Sequence, residues 1–76
     1  MYRLLYTQVE DDGERIMHIK SFREGRILLF YTSEIFHIRD SVLKAYLIPL
    51  LNKINNGSFD QPLNGNDRVQ HIFNKI

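Results

Sequence analysis

The chain has 76 residues, ten of them basic and nine acidic, so it is small and nearly neutral. It has no cysteine, which excludes disulfides, and three histidines with no thiolate argue against a structural zinc site. A net charge of +1 provides no long-range field to attract nucleic acid or an anionic membrane. A chain of this length has room for one domain, and we expect residues 1–76 to form a single small α+β domain.

Three stretches rich in β-branched and aromatic residues predict strands at residues 2–9, 15–22 and 26–32. The acidic stretch 10–14 predicts an exposed turn around Gly13, because it lacks the alternating oxygen ligands and distal glutamate of a calcium loop. Gly25 suits a tight hairpin between the second and third strands. Short connections of this kind predict an antiparallel β-meander.

Residues 33–39 fit either a short fourth strand or the first turns of a helix. We favour an extended segment, because Asp40 is a suitable N-cap for the helix that follows. From Ser41 the apolar period changes from two to 3.6, which predicts a long helix at about 41–55 packed on the sheet. Pro49 predicts a kink in that helix or a junction of two shorter ones. The apolar stripe comprises Val42, Leu43, Tyr46, Leu47, Leu50, Leu51 and Ile54.

The last quarter of the chain predicts a loop at 57–65 and a short terminal helix near 67–75. Asn66 or Asp67 is a suitable cap for that helix. Its apolar face, which we expect to close one end of the core, comprises Val69, Ile72, Phe73 and Ile76.

The sequence contains no catalytic signature. There is neither a G-x-S-x-G motif nor a glycine-rich phosphate loop, and we expect a non-enzymatic protein without a cofactor or metal. A histidine-dependent nuclease is the minority hypothesis, since a histidine pair can serve as acid and base at neutral pH. His18, His37 and His71 fall on three separate predicted elements, which gives no indication that they meet.

The aromatic content indicates an interface. The third strand is apolar on both faces, yet two helices can cover only one face of the sheet, so apolar side chains should reach the surface. We therefore predict a protein–protein interface on the uncovered face, with another protein or a second copy of the chain as partner. The alternative is a nucleic-acid-binding protein that uses the basic hairpin, with Phe22 and Tyr31 placed to stack on bases. The candidate interface residues are Ile16, His18, Lys20, Phe22, Arg23 and Arg26.

Two broader expectations follow from composition. Gln8 and Glu10 break any apolar leader, and Lys44 and Lys53 interrupt the longest apolar-rich stretch, so we expect a soluble cytoplasmic protein. Small size, abundant tyrosine and asparagine and the lack of cysteine are typical of phage or mobile-element accessory proteins. Such proteins often bind and inhibit a host component.

Overall fold

A computed structural model describes residues 1–61 of the chain. Three strands, β1 (Tyr2–Val9), β2 (Arg15–Ser21) and β3 (Arg26–Tyr31), form an antiparallel sheet in the order β1-β2-β3. The predicted meander is confirmed, with β2 and β3 each ending one residue earlier than expected. The sheet comes first in the chain and the helices follow, which is the order expected of an α+β domain.

Both predicted turns are present and depend on glycine. Gly13 and Gly25 have φ of 90° and 67°, values that disfavour a side chain. In the acidic turn the Glu10 N–H donates to the Glu14 carbonyl at 2.7 Å, and Asp12 Oδ1 accepts from the Glu14 N–H at 3.0 Å. The Asp12 carboxylate and this backbone bond therefore shape an exposed turn.

The segment after β3 is a 3₁₀ helix, Thr32–His37, so the expectation of a strand or extended segment there was wrong. Two contacts explain the helix. Glu34 Oε1 accepts a hydrogen bond from the Tyr31 N–H at 2.7 Å, which satisfies a donor at the start of the helix. Ile35 is fully buried in the core, and a helical turn directs its side chain there.

The long helix was also a wrong prediction, whereas the alternative, a junction of two shorter helices at Pro49, is confirmed. Residues 41–55 are helical, but as α1 (Ser41–Leu47), a 3₁₀ turn (Ile48–Leu50) and α2 (Leu51–Asn55). Pro49 lies in the 3₁₀ turn, where its missing N–H and its ring prevent a continuous α-helix. Asp40 caps α1 as predicted, because its Oδ1 accepts from the backbone N–H groups of Val42 and Leu43 at 2.9 and 3.2 Å.

The core lies between the sheet and these helical segments. The predicted stripe is buried at Leu43, Leu47 and Ile54 and half-buried at Leu50, whereas Val42 is 63% exposed and does not belong to it. The buried core cluster comprises Leu4, Met17, Ile19, Ile35, Ile38, Leu43, Leu47 and Ile54.

Residues 59–61 leave the helical region and run beside β1. The Thr7 N–H donates to the Phe59 carbonyl, and the Gln61 N–H donates to the Thr7 carbonyl, each at 2.9 Å. This forms an isolated parallel bridge between Thr7 and Asp60 inside the predicted loop. Phe59 packs against the core cluster. The rest of that loop and the predicted helix near 67–75 lie outside the described residues. Within residues 1–61, no helix is long and apolar enough to cross a membrane.

Candidate protein-binding surface

The strand register sorts the side chains of the sheet onto two faces. Residues opposite each other in an antiparallel pair point to the same face, and successive residues alternate. Met17 and Ile19 contribute to the core, so their neighbours on β2 point away from the helices. We call this second side the helix-distal face. It carries Arg3, Tyr6, Gln8, Ile16, His18, Lys20, Ile27, Leu29 and Tyr31.

A β-bulge in β1 adds one further residue to this face. The pairing register shifts between Leu4 and Tyr6, which leaves Leu5 without a partner on β2. Because of this extra residue, Leu4 points into the core while Tyr6 points to the helix-distal face. The Leu4 N–H at the bulge donates to the Tyr46 hydroxyl of α1 at 2.9 Å, so a helix side chain supports the irregular backbone.

The bulge helps to form a hollow of about 310 Å³ on the helix-distal face. The rings of Tyr6 and His18 stack at its base, with centroids 4.2 Å apart and planes inclined by 18°. His18, a predicted interface residue, is buried. The hollow is lined by Leu5, Tyr6, His18, Ile27 and Leu29.

Large apolar side chains remain accessible on this face, and two of them, Leu5 and Ile27, line the hollow. Leu5 is 42% exposed, Ile27 44% and Tyr31 39%. Phe22 is 55% exposed and continues β2 on the same face, since its N–H donates to the Met1 carbonyl at 3.1 Å. Clustered apolar exposure of this kind is typical of an interaction surface.

The charged residues that the register assigns to the helix-distal face are basic, whereas Glu34 lies beside its Tyr31 end. Arg3 lies directly opposite Lys20 in the register, and the nine residues that the register assigns to this face include no Asp or Glu. Two other basic residues of the meander are engaged with carboxylates. Arg26 Nε lies 2.7 Å from Glu24 Oε1, and Arg15 Nε lies 2.9 Å from Asp60 Oδ1. The accessible cations of this face are therefore Arg3 and Lys20.

The structure divides the six predicted interface residues into groups. Ile16 and His18 belong to the helix-distal face but are buried. Ile16 therefore does not reach the surface, contrary to the prediction. Lys20 and Phe22 are accessible there, and Arg23 is exposed in the adjoining turn. Arg26 pairs with Ser21, which places it on the opposite face. The exposed positions that the sequence did not predict are Leu5 and Ile27, whereas Tyr31 was predicted to be accessible for stacking on bases.

The histidines are not brought together within the described part of the chain. His18 lines the hollow on the helix-distal face, whereas His37 lines a second hollow of about 390 Å³ on the helix side, beside Leu28 and Phe30. The sheet separates them. His71 lies outside the described residues. Among residues 1–61, no group of three or more His, Cys, Asp or Glu side chains is placed to hold a metal ion.

Comparisons of the chain with protein-family models, with curated proteins and with solved structures find no match. A functional assignment therefore depends on the geometry of the surfaces described above.

Proposed function

We propose that the protein is a small non-enzymatic binding or regulatory module that recognises another protein through its helix-distal face. The observation that carries this proposal is a ready-formed hollow lined by the accessible side chains of Leu5 and Ile27, with Tyr31 exposed on the same face. Preformed hollows of this kind accept anchoring side chains and spare a partner the cost of ordering the site.

The chemistry of the face specifies the kind of partner. An apolar or aromatic side chain of the partner would fill the hollow between Leu5 and Ile27. Arg3 and Lys20 lie at the hairpin end of the same face, so carboxylates beside the anchor would meet opposite charge. The partner we propose is thus a protein surface with an apolar anchor and acidic neighbours. The composition favours an accessory protein of a phage or mobile element, for which the partner would be a host component to be inhibited.

The test is capture of partners from native lysate by the tagged protein and by two matched variants. Leu5→Asp places a charge at the rim of the hollow, and Val42→Asp makes the same kind of change on an exposed position of α1. We expect Leu5→Asp to abolish capture of specific proteins and Val42→Asp to retain it, with both variants folded by circular dichroism. Equal capture by both variants, or loss with both, would contradict the proposal.

A nucleic-acid-binding role is the second candidate, and the Arg3–Lys20 pair beside Phe22 and Arg23 favours it. The pairing of Arg26 with Glu24 reduces the charge that the predicted basic hairpin offers. The same capture experiment with and without nuclease separates the two functions. If nucleic acid is recovered, replacing Arg3 and Lys20 by glutamine should lower the slope of log affinity against log salt by about one for each phosphate that the variant no longer neutralises. Lys53→Gln, an exposed position on α2, is the control.

A further inference from the structure

The two outer edges of the sheet differ. Residues 59–61 pair with Thr7 and cover part of the outer edge of β1. Among residues 1–61, no strand pairs with the outer edge of β3. An uncovered edge is a template for another strand, and natural proteins usually protect it with charges, proline or a bulge.

The β3 edge has none of these protections along most of its length. Residues 27–31 read Ile-Leu-Leu-Phe-Tyr, with neither a charge nor a proline, and β3 pairs with β2 without a bulge. Ile27 is exposed, and the next three side chains are only half-buried. Both faces of the strand therefore offer apolar surface at the edge of the sheet.

The hydrogen bond from the Tyr31 N–H to Glu34 Oε1 identifies which backbone groups of β3 point outward. This N–H points away from β2, and in an antiparallel ladder alternate residues share the same direction. The N–H and C=O groups of Ile27 and Leu29 therefore point outward from the sheet. The Tyr31 donor is occupied, so Ile27 and Leu29 provide the donors available to an incoming strand.

We infer that the incoming strand is β3 of a second copy, paired antiparallel about a two-fold axis at Leu28. In this register Ile27 of each copy faces Leu29 of the other, and the outward donors and acceptors of both residues are all satisfied. A register centred on Ile27 would place Leu29 opposite Gly25, whose N–H already donates to the Ser21 carbonyl at 2.8 Å. A register centred on Leu29 would place Ile27 opposite Tyr31, whose N–H is bound to Glu34.

Charge complementarity identifies the occupant as a second copy. Antiparallel pairing at Leu28 places the hairpin turn of one copy beside the 3₁₀ helix of the other copy. In this turn Arg26 is paired with Glu24, so the exposed Arg23 leaves it with a net positive charge. Glu34 is the acidic residue in the first turn of that helix. The two-fold axis repeats this meeting of opposite charges at both ends of the paired strands. An isologous interface requires self-complementarity of this kind.

The dimer joins two three-stranded sheets into one continuous antiparallel sheet. Ile27 and Leu29 of both copies lie on the helix-distal face, so the two hollows become neighbours on one surface. The inference does not depend on the proposed function, because an edge-paired dimer is a property of the chain alone.

The first test is sedimentation equilibrium of the purified chain over a range of concentrations. Wild type should form a dimer. Ile27→Pro removes one outward donor from each copy without breaking the ladder to β2, since proline is tolerated where its nitrogen faces outward on an edge strand. We expect dimer affinity to fall roughly ten- to a hundredfold. The control Ile27→Thr loses similar apolar surface but keeps the N–H, and it should dimerise more tightly than the proline variant.

The second test fixes the register and uses the absence of native cysteine. Facing residues at a non-hydrogen-bonded antiparallel position have Cα atoms about 4.5 Å apart, which lies within the range for a disulfide. Leu28→Cys should therefore cross-link into a covalent dimer under mild oxidation. Leu5→Cys, which is exposed and away from the edge, should cross-link only at the rate of random collisions.

The outcomes separate this inference from the proposed function. A wild type that stays monomeric at the highest soluble concentration overturns the dimer, even if the chain still captures a partner. A dimer that Ile27→Pro does not weaken, or Leu28→Cys that links no faster than Leu5→Cys, also overturns it. A confirmed dimer whose capture of partners is unchanged by Leu5→Asp instead contradicts the proposed function.

Discussion

Arg15 of β2 binds the carboxylate of Asp60 through two nitrogen atoms, and this ion pair fastens residues 59–61 to the sheet. The Nε–Oδ1 distance is 2.9 Å and the Nη2–Oδ2 distance is 3.0 Å. Thr7 Oγ1 donates to the same carboxylate at 2.5 Å, and Thr7 is fully buried. Bidentate geometry with an added hydroxyl donor makes this a stronger interaction than a simple surface pair.

Asp60→Asn should therefore destabilise the fold, because it removes the charge that both Arg15 and Thr7 engage. We expect the free energy of unfolding in urea to fall by about 1–3 kcal/mol. Glu24→Gln is the matched control, because it breaks the exposed ion pair with Arg26, which should contribute about 0–1 kcal/mol. Equal effects of the two substitutions would show that the Asp60 contacts do not stabilise the fold more than a surface pair does.

The same contacts make stability depend on pH in the acid range. Hydrogen bonds from Arg15, and then from Thr7, hold the pKa of Asp60 below its ordinary value. An unfolded carboxyl of this type takes up its proton near pH 3.9, before the folded one does. The stabilisation is therefore complete above about pH 5 and is lost as pH falls through 3.9 toward the folded pKa.

Urea midpoints measured from pH 7 to pH 3 should fall less steeply for Asp60→Asn than for wild type. Asp40 provides a second, separate contribution, since hydrogen bonds from the Tyr2 hydroxyl and from the Leu43 N–H lower its pKa. The urea midpoint of the double variant, Asp40→Asn with Asp60→Asn, should depend less on pH than that of either single variant. Parallel profiles for Asp60→Asn and wild type would refute a depressed pKa at Asp60.

Leu47 anchors α1 in the core, and its truncation tests the predicted apolar stripe. The side chain is fully buried, so Leu47→Ala should lower the free energy of unfolding by about 2–5 kcal/mol. Val42 lies on the same helix but is largely exposed, and Val42→Ala should change stability by less than about 0.5 kcal/mol. Similar losses at both positions would contradict the observed orientation of α1.

The sequence predicted correctly those elements that depend on interactions between residues close together in the chain. The three strands, the capping of α1 by Asp40 and the interruption at Pro49 depend on residues close together in the chain. The 3₁₀ helix after β3 was missed because its determinants are not periodic. One is the bond from the Tyr31 N–H to the side chain of Glu34, and the other is the space in the core that Ile35 fills.

The candidate surface was predicted only in part, because it too depends on contacts between residues far apart in the chain. Alternation along β2 correctly groups Ile16, His18 and Lys20 on one face, as the register shows. Their burial depends on residues from other strands, and the bulge at Leu5, which brings Tyr6 over His18, has no marker in the sequence. The register of the hairpin pairs Arg26 with Ser21 and so places Arg26 on the opposite face. The length of the turn alone did not predict this register.

A substitution at Gly57 tests how closely the backbone packs against the carboxylate of Asp60. Its φ is 88°, and a Cβ added there would lie 3.2 Å from Asp60 Oδ2. Gly25 also has a positive φ, but an added Cβ would meet nothing within 4 Å. Gly25→Ala should cost roughly 1–2 kcal/mol from backbone strain alone. Gly57→Ala should cost more, measured by urea unfolding, because the methyl group also displaces the carboxylate. A smaller loss at Gly57 than at Gly25 would contradict this close packing.

The hydroxyl of Tyr46 connects α1 to the bulge that exposes Leu5. Tyr46→Phe keeps the ring but leaves the Leu4 N–H without its acceptor, which should cost about 1–3 kcal/mol if the amide stays shielded from water. Amide hydrogen exchange followed by NMR should become faster at Leu4, while the amide of Ile19, in the central strand, changes only with global stability. Because the bulge directs Leu5 toward the hollow, partner capture should weaken in this variant at temperatures where it remains folded. Unchanged exchange at Leu4 would mean that the backbone, without help from Tyr46, holds the bulge in place.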